Sequence, residues 1–365
     1  MKIFHCDACQ QPVFFENIHC LSCHHALAFL PDVEMVGALE QHGEVWHAAQ
    51  APHRTYRLCA NYAREDVCNW AVQADDPQPL CLACRLTQTI PDLGQPGHRE
   101  AWYKLEVAKR RLLYDLLRLG VPVINKSDDP EHGLAFEFLA DTPTERVLTG
   151  HADGLITINL AEADDAERER RRQQMREPYR TLLGHCRHES GHYYWDRLLR
   201  DGDRLPAFRE RFGDEQQDYG AALQRYYDQG APPDWQDHFI SPYASAHAWE
   251  DWAETWAHYL HMTDALETAA SFGLTLRPMH ARNPAITVPA HPDVSAFEDM
   301  IANWFSLSHV LNNLNRGLGL PDGYPFVLSD QVRAKLRFVD DTIAAALQPP
   351  QSRAGGVERG ARTPC

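Results

Sequence analysis

The sequence predicts an α+β protein, a cysteine-rich module over residues 1–97 followed by a mainly helical domain with a small sheet over 98–347. Three observations carry this. Eight of the ten cysteines fall between Cys6 and Cys84. Residues 101–119, and most of the chain from about 178 onward, place apolar residues at helical spacing. Between these helical stretches, GLAFEFLA and GLITINL are short extended runs, and the second alternates as a half-buried strand does.

Composition narrows the function classes. The chain has 365 residues, 44% hydrophobic and 24% charged, the balance of a soluble globular protein. No uninterrupted apolar run is long enough to cross a membrane. The first residues, MKIFHCDACQ, hold no apolar secretory core. A reducing cytoplasm is therefore the expected compartment, and clustered cysteines there point to metal rather than disulfides. With 35 Lys+Arg against 51 Asp+Glu the net charge is -16. A chain this acidic repels phosphate backbones on average, so nucleic acid is not the expected partner. The Arg-rich stretch 161–177 interleaves its cations (Arg168, Arg170, Arg171, Arg172, Arg176) with Glu167, Glu169 and Glu177, and reads as a solvated helix face. Oligomeric state is not encoded in any pattern.

The first metal set is CDAC with CLSC: Cys6, Cys9, Cys20 and Cys23. Each C-x2-C turn aims two thiolates at one point, and two turns complete a tetrahedron. The intervening QPVFFENIH supplies a short hairpin, so this is a zinc-ribbon knuckle. Zinc is favoured, and the spacing suits iron as well. The second set is looser: Cys59, Cys68 and then CLAC, with Cys81 and Cys84. It reads as a second four-thiolate zinc site, with His53 as a substitute for one thiol in a variant reading. One or two structural zincs are thus expected. The module is poor in long apolar periods, so metal binding would supply much of its folding free energy. PDLGQPGH (91–98) reads as a linker. The last residues, 348–365, read as a disordered tail ending in a free Cys365.

In the helical part, LLGHCRHESGHYYWDRLL contains His188-Glu189-Ser190-Gly191-His192, a match to H-E-x-x-H. Positions i and i+4 share a helix face, so both imidazoles reach one zinc, and the glutamate between them can take a proton from the zinc-bound water. Such a zinc needs a third protein ligand and an open position. SPYASAHAWEDWAETWAHYLH (241–261) offers one. Trp249, Trp252 and Trp256 mark a helical apolar stripe read as core, and Glu250 and Glu254 border it at i, i+4 spacing. Carboxylates beside such a stripe are costly to desolvate unless paired or metal-bound. Cys186 reads as a small buried hydrophobe. His151 and Asp153 could line a cleft or form a turn. His258 and His261 could ligate in a rearranged site, with core or surface the commoner outcome.

HESGH followed by EDWAE resembles the gluzincin pattern, and most closely the lethal-factor type of zincin. That resemblance implies Glu250 as third zinc ligand, Glu254 as acceptor for a ligand histidine, and Tyr243, seven residues before Glu250, as the hydroxyl facing the oxyanion. It further implies that the strand Gly154–Leu160, before the H-E-x-x-H helix, is the edge strand on which a peptide adds. The ordered set CDAC…CLSC, GHADGLITINL, PYRTLLGHCRHESGHYYW and EDWAETWAHYLH is similar, over most of residues 1–345, to bacterial zinc-binding metallopeptidases with an N-terminal zinc ribbon. The thermolysin-like pattern has an aspartate where Glu254 stands, which leaves the ligand assignment between Glu250 and Glu254 open. The expected function is zinc-dependent hydrolysis of a peptide or isopeptide bond, with a peptide or protein substrate. The alternative from another class is a non-catalytic zinc-ribbon scaffold that binds protein or nucleic acid.

Overall fold

In the computed structural model, which describes residues 1–175, 181–277, 279–280, 286–287 and 297–347, the cysteine knuckles form the first local structures. β1 (Phe4–His5) and β2 (Pro12–Val13) pair antiparallel around the first of them. Gln10 and His24, each directly after the second cysteine of its pair, adopt left-handed φ angles of 64° and 63°, which tightens each knuckle.

The cysteine-rich module carries a sheet that its lack of long apolar periods did not predict. β3 (Ala26–Leu30), β4 (Met35–His42), β5 (Val45–Ala48), β6 (Thr55–Leu58) and β7 (Ala71–Gln73) form a five-stranded antiparallel sheet joined in chain order. Its strands are short and apolar rather than periodic over helical lengths, which is why the helical period did not find them. The Phe29 ring packs 4.8 Å from Trp70 and 5.1 Å from Phe15. Two short helices, α1 (Ala60–Ala63) and α2 (Leu82–Arg85), follow Cys59 and Cys81.

The stretch read as a linker is a turn into α3 (His98–Arg118). α3 closes the module's core, with Tyr114 5.7 Å from Phe15 and 6.0 Å from Phe29. The second sheet also spans both halves of the chain. β8 (Thr87–Thr89) pairs parallel with β9 (Ala135–Leu139), and the order is β10-β11-β9-β8, with β10 at Gly150–Ala152 and β11 at Leu155–Asn159. This corrects the strand expected to bind peptide. β11 lies between β9 and β10 and is hydrogen-bonded on both sides, so the edges of this sheet are β10 and β8. Asp153 and Gly154, with φ of 47° and 83°, make the tight turn between the two.

The remaining helices are α4 (Asp165–Met175), α5 (Leu182–Leu198), α6 (Leu205–Phe212), α7 (Tyr219–Gln229), α8 (Trp235–His238), α9 (Ala248–Ser271), α10 (Phe297–Gly317) and α11 (Asp330–Ala346). In α4, Arg168 pairs with Asp165 and Arg170 with Glu167 along the helix, as on a solvated face. The side chains of Arg171, Arg172, Arg176 and Glu177, and the tail with Cys365, lie outside the described residues.

α5 and α9 cross in close contact. A Cβ on Gly191 would stand 2.8 Å from Ala253 Cα and 3.2 Å from its carbonyl oxygen. The two variable positions of H-E-x-x-H thus serve packing. Trp252 Nε1 donates to the Gly191 carbonyl at 2.8 Å, and Trp256 Nε1 to Ser190 Oγ at 3.1 Å. Arg187, 2% exposed, ties three helices by pairing at 2.7 Å with both Asp115 of α3 and Asp264 of α9. Gly191→Ala should therefore spread the crossing and destabilise the fold by about 1–3 kcal/mol. Chemical denaturation checks this, and an unchanged midpoint would contradict it.

Candidate metal centre

Thr181 caps α5, its Oγ1 accepting from Gly184 N at 2.9 Å. His188 and His192, one turn apart, then face α9. α9 is capped by His247, whose Nδ1 accepts from Trp249 N at 3.1 Å. That start places Glu250 in the first turn, where the helix dipole favours an anion.

The three side chains converge. Glu250 Oε2 lies 3.0 Å from His188 Nε2 and 3.6 Å from His192 Nε2, and one donor atom from each residue lies within 4.8 Å of the others. Burial alone would push the Glu250 carboxyl up, but the two imidazoles outweigh it and hold it well below the usual carboxylate range. Its Oε1 accepts from Tyr219 Oη at 2.5 Å, whereas its buried Oε2 accepts no hydrogen bond. Glu254 stands behind the site: Oε1 is 2.7 Å from His188 Nδ1, and Oε2 accepts from Ser241 Oγ at 2.5 Å.

This geometry fits a metal. With His188 Nδ1 engaged by Glu254, Nε2 is the nitrogen left to face Glu250 Oε2. Two imidazole nitrogens and a buried carboxylate oxygen this close together can take a cation between them in place of ring protons. Two imidazole nitrogens and a carboxylate oxygen suit zinc with a position left open.

The cysteines meet a similar test. Four sulfurs around one zinc at about 2.3 Å stand about 3.8 Å apart. Cys6–Cys23 and Cys9–Cys20 are separated by 3.5 and 3.6 Å, and Cys68–Cys81 by 3.7 Å. Cys59 and Cys84 complete the second cluster, which is fully buried. His53 is exposed and takes no part in either cluster.

A cavity of about 640 Å³ opens beside the three-residue cluster, lined in part by His188, Glu189 and Tyr243. Burial pushes the Glu189 carboxyl above its ordinary range, against the pull of the two imidazoles. Tyr243 stands in a short turn (Tyr243–Ser245) with its ring 6.0 Å from that of His188. His151 lies on β10, its ring 6.3 Å from His192. Cys186 is buried as read, its thiol pushed up to about 12 by burial. Trp252 and Trp256 are core, and Trp249 packs against it half-buried, covering His192 at a ring separation of 3.9 Å. His258 and His261 belong to none of the three candidate ligand groups among the described residues and line the cavity instead.

Sequence reading missed Tyr219, Ser241 and His247. Tyr219 had a signal. Tyr219, Leu223, Tyr226 and Tyr227 make a helical stripe on α7, where only Ala222 is buried. The stripe lines the cavity rather than the core.

Comparison with known proteins agrees with the two-part architecture. Residues 3–95 match the model of a zinc-ribbon domain, and residues 98–342 match the family described as "Putative zinc-binding metallo-peptidase". The chain belongs to that family. Among its relatives are uncharacterized proteins of Mycobacterium bovis and Mycobacterium tuberculosis, each 44% identical over 357 residues, covering 97% of this chain and 99% of the relative. No solved structure matches the chain. No helix among the described residues is long and apolar enough to cross a membrane.

Two outcomes follow. Tyr219→Phe frees Glu250 Oε1 and should weaken zinc binding about 10–100-fold without unfolding the chain, as chelator competition would show. Unchanged affinity would contradict it. The second concerns pH. Burial lowers His258 and His261 to about 4 and about 3. The unfolded chain protonates these rings below about pH 6.5, whereas the folded chain keeps them neutral. Stability present above about pH 6.5 should be lost as pH falls toward about 4, on the order of 1 kcal/mol per ring by about pH 5.5. Urea denaturation at two pH values checks this: the loss should shrink in His258→Gln, and an equal loss would contradict it.

Proposed function

We propose that the protein is a zinc-dependent peptidase that hydrolyses a peptide or isopeptide bond. The observation that carries this reading is the convergence of two imidazole Nε2 atoms on a buried carboxylate oxygen without a hydrogen bond, beside a cavity that also exposes a glutamate. His188, His192 and Glu250 hold the metal. Zinc bound there supplies Lewis acidity, lowering the pKa of a water to about 7 and polarising the substrate carbonyl.

The chain's own residues do the rest. Glu189 accepts the proton of the attacking water and returns it to the leaving amine. A carboxylate with its affinity for protons raised by burial is a stronger base than one in water. Tyr243 directs its hydroxyl toward the oxygen that gains charge. Glu254 fixes the His188 tautomer, and Tyr219 holds Glu250 to one free oxygen. The substrate backbone adds to the open edge of β10, since β11 has none to offer. The two cysteine sets hold structural zinc.

A closed structural zinc site needs no base beside it, which is what separates this reading from a scaffold. Glu189→Gln should retain zinc and the fold while losing turnover at least about 10²-fold. Cleavage of a peptide library by the zinc-loaded chain, followed by mass spectrometry, checks it. Unaltered cleavage by Glu189→Gln, or no cleavage by either chain, would contradict it.

A further inference from the structure

The cavity extends well beyond the candidate ligands. Ala257, His258 and His261 follow Glu254 along one face of α9 and line the cavity away from His188. Tyr324 and Phe326, from the segment between α10 and α11, line the same region. The Phe326 ring stands perpendicular to His258 at 4.5 Å and tilted to Tyr324 at 5.0 Å, and His261 stacks on Tyr324 at 5.7 Å.

This aromatic corner is built rather than incidental. Asn312 clamps both backbone groups of Tyr324, donating to its carbonyl at 2.7 Å and accepting from its N–H at 2.9 Å. The Tyr324 hydroxyl is engaged with His258 Nδ1 at 2.8 Å. Perpendicular aromatic planes in contact leave a corner that a third ring enters edge to face.

Apart from Glu189, which stands beside the candidate ligands, the acidic and guanidinium groups lining the cavity have partners. Arg187 is met by Asp115 and Asp264, Glu254 by His188 and Ser241, and Glu162 by His185 at 3.5 Å. An incoming lysine or aspartate would lose its hydration without gaining a counter-charge. Burial keeps His258 and His261 neutral at pH 7.

We infer that this lobe is a specificity pocket that takes a bulky uncharged side chain, aromatic before aliphatic, from the residue next to the bond that is cut. The inference rests on the peptidase reading for its role, but the pocket is tested by binding alone. The probes are zinc-directed dipeptide hydroxamates that differ in one side chain: benzyl, isobutyl, methyl, carboxyethyl or aminobutyl. Calorimetry with the zinc-loaded full-length chain should rank benzyl and isobutyl about 100-fold above methyl, with both charged probes weakest.

Ala257→Phe fills the lobe and should collapse the benzyl-to-methyl ratio to about threefold or less. Phe326→Ala removes a wall without adding bulk and should lower the ratio about tenfold. It serves where the first variant fails to fold. Equal affinity for benzyl and methyl, a preference for a charged probe, or no binding by any probe would overturn the inference. Selective benzyl binding by a chain that cleaves no peptide would support the pocket while contradicting the hydrolase reading.

Discussion

The close approach of α5 to α9 at Gly191 and Ala253 is the constraint on which the rest depends. Only the missing side chain at Gly191 lets the backbones meet. The crossing brings Glu250 of one helix to the paired imidazoles of the other, and Glu254 to the back of His188. Trp252 and Trp256 then seal it by donating to Gly191 and Ser190. A helix–helix contact is rigid on the scale of bond lengths, so it can hold donor atoms to within tenths of an ångström.

The N-terminal module is part of the same body. Tyr114 of α3 completes its aromatic core, and β8 supplies a strand to the sheet whose far edge lies beside the candidate ligands. Arg110 of α3 is buried and donates to the Val67 carbonyl at 2.6 Å, next to Cys68. Four thiolates on one divalent ion leave a net negative charge, and a buried guanidinium beside them offsets it. The second cysteine set thereby anchors the helix whose Asp115 holds Arg187, the residue before His188. A chain of packed and paired groups runs from the cysteines to the candidate site.

Much of this was legible in the sequence because it rests on short spacings. C-x2-C turns, H-E-x-x-H, and Glu250 with Glu254 each rest on local spacing; the cysteines, the two histidines and Glu250 fall in the three candidate ligand groups, and Glu254 lies behind His188. The division of labour between the two glutamates came from the resemblance and not from their spacing, which does not say which helix turn meets the histidines. The five-stranded sheet escaped because its strands are short and its closing residue, Tyr114, comes from a distant helix. β10 hid behind the better alternation of β11. Tyr219 sat on a visible stripe, yet a stripe does not say whether it faces a core or a cavity. Trp249 looked like its neighbours Trp252 and Trp256, and only the start of α9 at His247 turns it over His192.

Zinc stoichiometry tests the account most directly. The full-length chain, purified and dialysed, should carry three zinc ions by elemental analysis, and His188→Ala combined with His192→Ala should carry two while remaining folded. As many ions in the double variant as in the unaltered chain would mean that these imidazoles and Glu250 do not share a metal, whereas two in the unaltered chain and one in the variant would remove one cysteine set instead.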